Sequence, residues 1–193
     1  MTGRPREFER EEALDKAMDL FWSQGYDATG VAELCAHMGV GRQSLYNTFG
    51  DKDSLFSEAL GRYKQLRLQP MIQELRGPGS GLENVRRLLG AWEESGAEVA
   101  HKGCLMANSI AEFGMRDPRF AAELGSMLGE IEAAFSFALE KARDDGELPA
   151  GGDPRALARL FTTLGQGIST VGKLDPTGSF QRDAIGSARL LLE

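Results

Sequence analysis

Two groups of residues carry the types and spacing from which chemistry can be built. Arg42, Gln43, Ser44 and Asn47 lie close together, with Tyr46 and Thr48 beside them. Arginine and glutamine make paired hydrogen bonds to guanine and adenine edges, so a helix that presents them outward can read a DNA major groove. Thr29 and a helix start at Lys52 suit phosphate. The second group is HKGCLMANSIAEFG, residues 101–114. Cys104 stands there at a helix start beside His101 and Lys102, and a helix N-terminus and nearby cations favour thiolate. Ala107, Asn108 and Ala111 follow on the same face, a small surface with one thiol and one amide that could line a cavity.

The elements that must position these residues all read as helix. Leu14, Ala17, Met18, Phe21 and Trp22 make one apolar stripe, closed at Gly25. Thr29 is the expected N-cap of a second helix carrying Val31, Leu34, Cys35 and Met38, closed at Gly39. A third runs from about Arg42 to Thr48, and Asp51 caps a long fourth from Lys52 to about Leu75. Gly77, Pro78, Gly79, Ser80 and Gly81 form a linker expected to tether helices four and five loosely. Leu82, Val85, Leu89, Trp92 and Val99 mark the fifth helix, and Cys104 to about Phe113 the sixth. Asp117-Pro118 and Asp153-Pro154 open helices seven and eight, Asp at N-cap and Pro at N1. Leu157, Leu160, Phe161, Leu164, Ile168 and Val171 are expected to face inward from helix eight. Asp175, Pro176 and Gly178 turn the chain into a ninth helix. The expected fold is all-α, about nine helices, with a three-helix unit over residues 1–51 and a helical bundle over 52–193.

Composition narrows the class. The 193 residues are 41% hydrophobic and 26% charged, which suits a globular chain. Net charge is −7, divided as −2 over residues 1–70 and −5 over the remainder. Arg4 with Arg6, and Arg62, Lys64 and Arg67, are local basic concentrations only, so charge alone does not indicate DNA. Two cysteines cannot build a disulfide framework, and two histidines leave little for a metal cage. No apolar run reaches the ~18 residues of a membrane span, and MTGRPREFEREEALD lacks a signal-peptide core. The expectation is a cytoplasmic protein without metal or cofactor.

Residues 31–48 have helix-turn-helix spacing. Leu34 and Met38 are core positions, Cys35 takes the small slot at a close helix crossing, and Gly39 falls where the turn needs positive φ. Val40 and Leu45 anchor the second helix on the first. Within this frame GVGRQSLYNTFGDKDSLFSEAL, residues 39–60, resembles the signature of the TetR/AcrR family of bacterial regulators, and ALDKAMDLFWSQGYDATGVAELCAHM is similar to that family's first two helices. The resemblance covers roughly residues 8–60. It implies a homodimer joined through helices eight and nine, and recognition helices in successive major grooves about 34–36 Å apart on a palindromic operator. It implies release when a ligand in the C-terminal half tilts residues 52–75. Carried over by position, Thr29, Arg42, Gln43, Ser44, Tyr46, Asn47 and Lys52 would contact DNA, with Tyr46 and Lys52 on phosphate and Arg42, Gln43 and Asn47 on bases. Gly41 stands where many members have Ser or Ala. Arg4 and Arg6 could serve as an arm.

The sensor half is expected to hold an apolar pocket between helices four and eight, walled by Met71, Leu75, Trp92, Cys104, Asn108, Phe135, Phe161 and Leu164. Such a pocket suits a small apolar or aromatic effector, and no basic cluster in this half suggests an anion. The stretch Gly103-Cys104-Leu105 also resembles electrophile-responsive, N-ethylmaleimide-type repressors. That likeness implies a redox-active Cys104 with Lys173 near it. Cys104 can equally be a small buried hydrophobe at a tight crossing, or a passive pocket wall. Enzymatic chemistry finds no support: there is no Walker loop, no GxGxxG after a strand, and no positioned Ser, Asp and His set. His101 and Cys104 alone are not a metal site. The expected function is a DNA-binding regulator, a repressor released by a small molecule, with a thiol sensor on the same fold as the alternative.

Overall fold

A computed structural model describes residues 7–94, 102–114 and 117–193. Arg4, Arg6, Val99 and His101 lie outside the described residues. Among those described, the chain forms nine helices and no strand. They are α1 (Glu7–Gln24), α2 (Val31–Met38), α3 (Arg42–Phe49), α4, α5 (Gly81–Glu94), α6 (Leu105–Phe113), α7 (Pro118–Asp144), α8 (Pro154–Val171) and α9 (Ser179–Arg189). The fourth is a continuous rod in three pieces: Lys52–Tyr63, a π segment Lys64–Leu68, and Gln69–Leu75.

The periodicity places the core. Every member of the α1 stripe is buried, and α7 buries Phe120, Leu124, Met127, Ile131, Phe135, Ala138 and Leu139 along its whole length. Helix α7 packs chiefly on α8 and α5, and α1 packs chiefly on α4. The Asp-Pro starts behave as their chemistry requires. The Asp117 carboxylate accepts from the Arg119 N–H at 3.1 Å, and Asp153 accepts from the Arg155 N–H at 3.0 Å. Gly39 has φ +73° and ends α2 in the left-handed region.

Three expectations need correction. Gly30, not Thr29, is the N-cap of α2. Thr29 is fully buried and its hydroxyl donates to the Gly25 carbonyl at 2.6 Å, so it finishes α1 instead. The glycine-rich linker is pinned rather than loose. Buried Asn84 donates to the Gly77 carbonyl at 3.0 Å, Ser80 Oγ accepts from the Glu83 N–H at 3.0 Å, and Lys141 donates to the Gly79 carbonyl. Finally, Leu160 and Val171 do not face inward, and are 44% and 43% exposed. Helix α8 carries apolar residues on two faces, and the core covers only the one with Ala158, Phe161 and Thr162.

Candidate functional site

Helix α3 sits on the body of the protein through Leu45 and Phe49, both buried. This leaves Arg42, Gln43, Ser44, Tyr46 and Asn47 exposed on one short helix, as the spacing predicts. Two contacts pre-order them at i, i+4 spacing. Gln43 Nε2 donates to Asn47 Oδ1 at 3.1 Å. The Arg42 guanidinium lies 5.8 Å from the Tyr46 ring centre and reaches its hydroxyl. That hydrogen bond raises the Arg42 pKa above its ordinary value. Asp51 caps α4 by accepting from the Ser54 N–H at 2.8 Å, which holds its carboxyl below the usual range. Lys52 is half-buried, its ammonium 3.9 Å from the Tyr26 ring centre. Buried Thr29 has no surface to offer a phosphate, so it supports the motif from within.

The three-helix unit packs chiefly on α4, and α6 ties it to the helices beyond. At the N-terminal end of α6, Trp22 Nε1 donates to the Gly103 carbonyl at 3.1 Å, and Lys102 pairs with Asp19. Gly103 has φ +66°, and a Cβ there would lie 2.6 Å from the Ser169 carbonyl oxygen. Only glycine lets this corner touch α1 and α8 together. At the C-terminal end, Glu112 spreads its carboxylate over the α1–α2 turn. One oxygen accepts from the Tyr26 N–H at 3.0 Å and the other from the Asp27 N–H at 2.6 Å. Between these points Phe21, Tyr26, Phe56, Phe113 and Phe120 form one aromatic cluster across α1, α4, α6 and α7. Its ring centres are 4.8 Å apart for Phe113–Phe120 and 5.4 Å for Tyr26–Phe113. The Tyr26 hydroxyl donates to Asp53, whose other oxygen accepts from Arg119 at 2.7 Å.

Cys104 is buried as the N-cap of α6, its Sγ accepting from the Ala107 N–H at 3.5 Å. The Tyr63 hydroxyl meets the same sulfur. Burial first, and Cys104 next, push that hydroxyl well above the ordinary tyrosine range. Beside them is a cavity of about 260 Å³ between α1, α4, α5 and α8. Trp22, Arg67, Met71, Trp92, Cys104 and Gln166 are among its walls. Gly165 makes room for it, since a Cβ there would meet the Trp92 ring at 2.8 Å.

The predicted pocket residues therefore divide. Trp92, Cys104 and Met71 line the cavity. Phe135, Phe161 and Leu75 are fully buried in the core behind it. Leu164 opens instead onto a hollow between α8 and α9. Asn108 faces an outer hollow, where it accepts from the Lys173 ammonium and donates to the Lys102 carbonyl. Lys173 lays its carbon chain over Gly103, next to Cys104, but spends its charge on Asn108. Sequence reasoning missed Glu112, Thr162 and Gln166, which carry no local pattern. Arg67 showed only as one of a basic group.

Comparison with known proteins follows the same division. Residues 13–59 match the family described as bacterial regulatory proteins, tetR family, and residues 81–185 match the tetracyclin repressor-like C-terminal domain. The chain belongs to the TetR family. Its relatives include the HTH-type transcriptional repressor ComR of Escherichia coli strain K12, 31% identical over 86% of this chain and 80% of that protein. The fold superposes on a cysteine mutant of the TetR-family regulator CifR bound to 26-bp operator DNA. That chain is 29% identical, with a TM-score of 0.76 and 98% of each chain covered. Reduced NemR of E. coli shares the fold at 20% identity, with a TM-score of 0.81 over 96% of this chain and 97% of its own. This TetR-family chain is thus a helix-turn-helix transcriptional regulator. No helix among its described residues is long and apolar enough to cross a membrane.

The Tyr26 contact has a pH signature. Burial and Asp53 raise its hydroxyl pKa from 10.0 to about 12. The neutral hydroxyl therefore stabilises the fold fully below pH 10, and that contribution is lost as pH rises from 10 to 12. Tyr26→Phe is expected to flatten the fall of stability over this window by about one proton per molecule, read from urea unfolding at successive pH values. Equal slopes for the two proteins would contradict the contact.

Proposed function

We propose that the protein is a homodimeric repressor that reads a palindromic operator through α3 and leaves it when a small molecule enters the cavity beside Cys104. The observation that carries this reading is the exposed, pre-ordered set Arg42, Gln43, Ser44, Tyr46 and Asn47 on a helix anchored by Leu45 and Phe49. Arg42, Gln43 and Asn47 read bases, while Tyr46 and Lys52 hold phosphate. Residues 1–51 act as the DNA-binding unit and 52–193 as the sensor and dimerisation unit. The outer faces of α8 and α9 support a partner. Leu160, Val171, Leu174, Phe180 and Leu190 are exposed there, Leu174 at 90% and Phe180 at 68%. Apolar patches of that kind mark interfaces. The working compartment is the cytoplasm, and the role is regulatory rather than catalytic.

A second reading has its own observation. Cys104 caps a helix whose Ala107 N–H points at its sulfur, and Lys173 packs against the neighbouring Gly103. In this reading an electrophile alkylates or oxidises Cys104, α6 shifts, and DNA is released. Alkylation is expected to abolish operator binding by the wild type and to leave Cys104→Ser bound. Equal loss in both proteins would end the thiol reading.

Selection of bound sites from random duplex DNA tests the main reading, and a palindrome is its expected product. On that site Arg42→Ala is expected to cost about 1–3 kcal/mol and relax preference at one base pair. Lys52→Ala is expected to weaken all sequences alike and reduce the salt slope by about one. An Arg42→Ala protein with unchanged sequence preference would overturn the assignment of α3.

A further inference from the structure

The cavity beside Cys104 holds polar groups that the fold leaves unmatched. Thr162 Oγ1 and Gln166 Oε1 are both buried with no hydrogen-bond partner. Thr162 is 6% exposed, and both residues line this cavity and the wider groove between α6, α7 and α8. A buried polar atom left unpaired is unfavourable, and such exceptions ask for a ligand or a role.

Arg67 lines the same cavity from α4. Its neighbours in charge are all engaged: Arg62 with Asp15, Lys64 with Glu130, and Lys102 with Asp19. Arg67 has no carboxylate partner among the described residues, and its guanidinium lies 5.4 Å from the Trp22 ring centre. It belongs to the π segment Lys64–Leu68, an irregularity that recurs where helices meet ligands. Other walls of the cavity are apolar, from Met71, Ile131 and the flat rings of Trp22 and Trp92.

We infer that the effector is a small aromatic carboxylic acid bearing a hydroxyl group. Its carboxylate pairs with Arg67, its ring lies against the tryptophans, and its hydroxyl bonds Gln166 and Thr162. A volume of about 260 Å³ is below the usual range for drug-sized ligands and suits a single ring. The inference rests on the cavity being the effector site, and it replaces the sequence-based expectation of a ligand without charge.

Both tryptophans of the chain line this cavity, so intrinsic fluorescence reports on it directly. The full-length protein is titrated with 4-hydroxybenzoate, 3-hydroxybenzoate and 4-hydroxycinnamate. Benzoate, 4-hydroxybenzamide and indole serve as comparators. At least one hydroxy acid is expected to bind tenfold or more tighter than benzoate and the amide, and to weaken operator binding. Arg67→Met is expected to erase the advantage of acid over amide, and Thr162→Val with Gln166→Leu to erase that of the hydroxyl. Circular dichroism checks that each variant keeps its helices. Should the amide or indole bind as well as every acid, or Arg67→Met leave the preference intact, the ligand class is wrong while the cavity stands. Should none of the six compounds change the fluorescence, both the class and the cavity reading fail.

Discussion

The three-helix unit packs chiefly on α4, and the contact that joins it to the helices beyond α4 is the seating of α1 against α6. Glu112 gives one carboxylate oxygen to each of two successive backbone N–H groups in the α1–α2 turn. Trp22 and Lys102 close the other end of the same helix pair. Carboxylate-to-N–H bonds are charge-assisted and directional, so they fix an angle as well as a distance. The aromatic cluster between them adds apolar adhesion in edge-to-face pairs. Together they make a joint that is hydrogen-bonded at its two ends and closely packed in the middle.

On the reading proposed above, that joint would link Cys104 to the three-helix unit that carries α3. Cys104 is the N-cap of α6, and Gly103 touches Trp22 on one side and the α8 backbone on the other. Helix α4 passes the same cavity with its π segment and begins at Lys52, capped by Asp51, just beyond the Gly50 that ends α3. On the proposed reading, a ligand there would bear on α4, which packs against α3, and on α6, which packs against α1 and α4. The bonds within α3, Gln43 to Asn47 and Arg42 to Tyr46, pre-order its exposed face. Tight packing passes displacement on, because a dense core shifts as blocks.

Much of this was legible before the structure. Stripes such as that of α7 fix a helix and its buried face because helical period and apolar spacing are one pattern. Asp-Pro starts, the Gly39 turn and the α3 reading face follow from local chemistry in the same way. Thr29 misled because a threonine before an apolar run can finish one helix as readily as begin the next. Leu160 and Val171 misled because an apolar residue does not say whether its cover is its own core or another surface. The cavity was legible only in part. Trp92 and Cys104 were found, but Phe135 and Phe161, on equally apolar stripes, fill the core behind it. Glu112, Thr162 and Gln166 gain meaning only from partners, or missing partners, distant in sequence. No periodicity encodes that.

The most direct measurement is the spread of distances between the recognition helices of the proposed dimer. Nitroxides are placed through Asn47→Cys in a background with Cys35→Ser and Cys104→Ser, and pulsed dipolar spectroscopy is recorded without DNA. With the α6 clamp intact the dimer is predicted to give one narrow distribution. With Trp22→Phe and Glu112→Gln together it is predicted to broaden, while the helical content stays the same. A distribution equally narrow in both proteins would show that α6 does not hold the DNA-reading unit, and the coupling would have to run elsewhere.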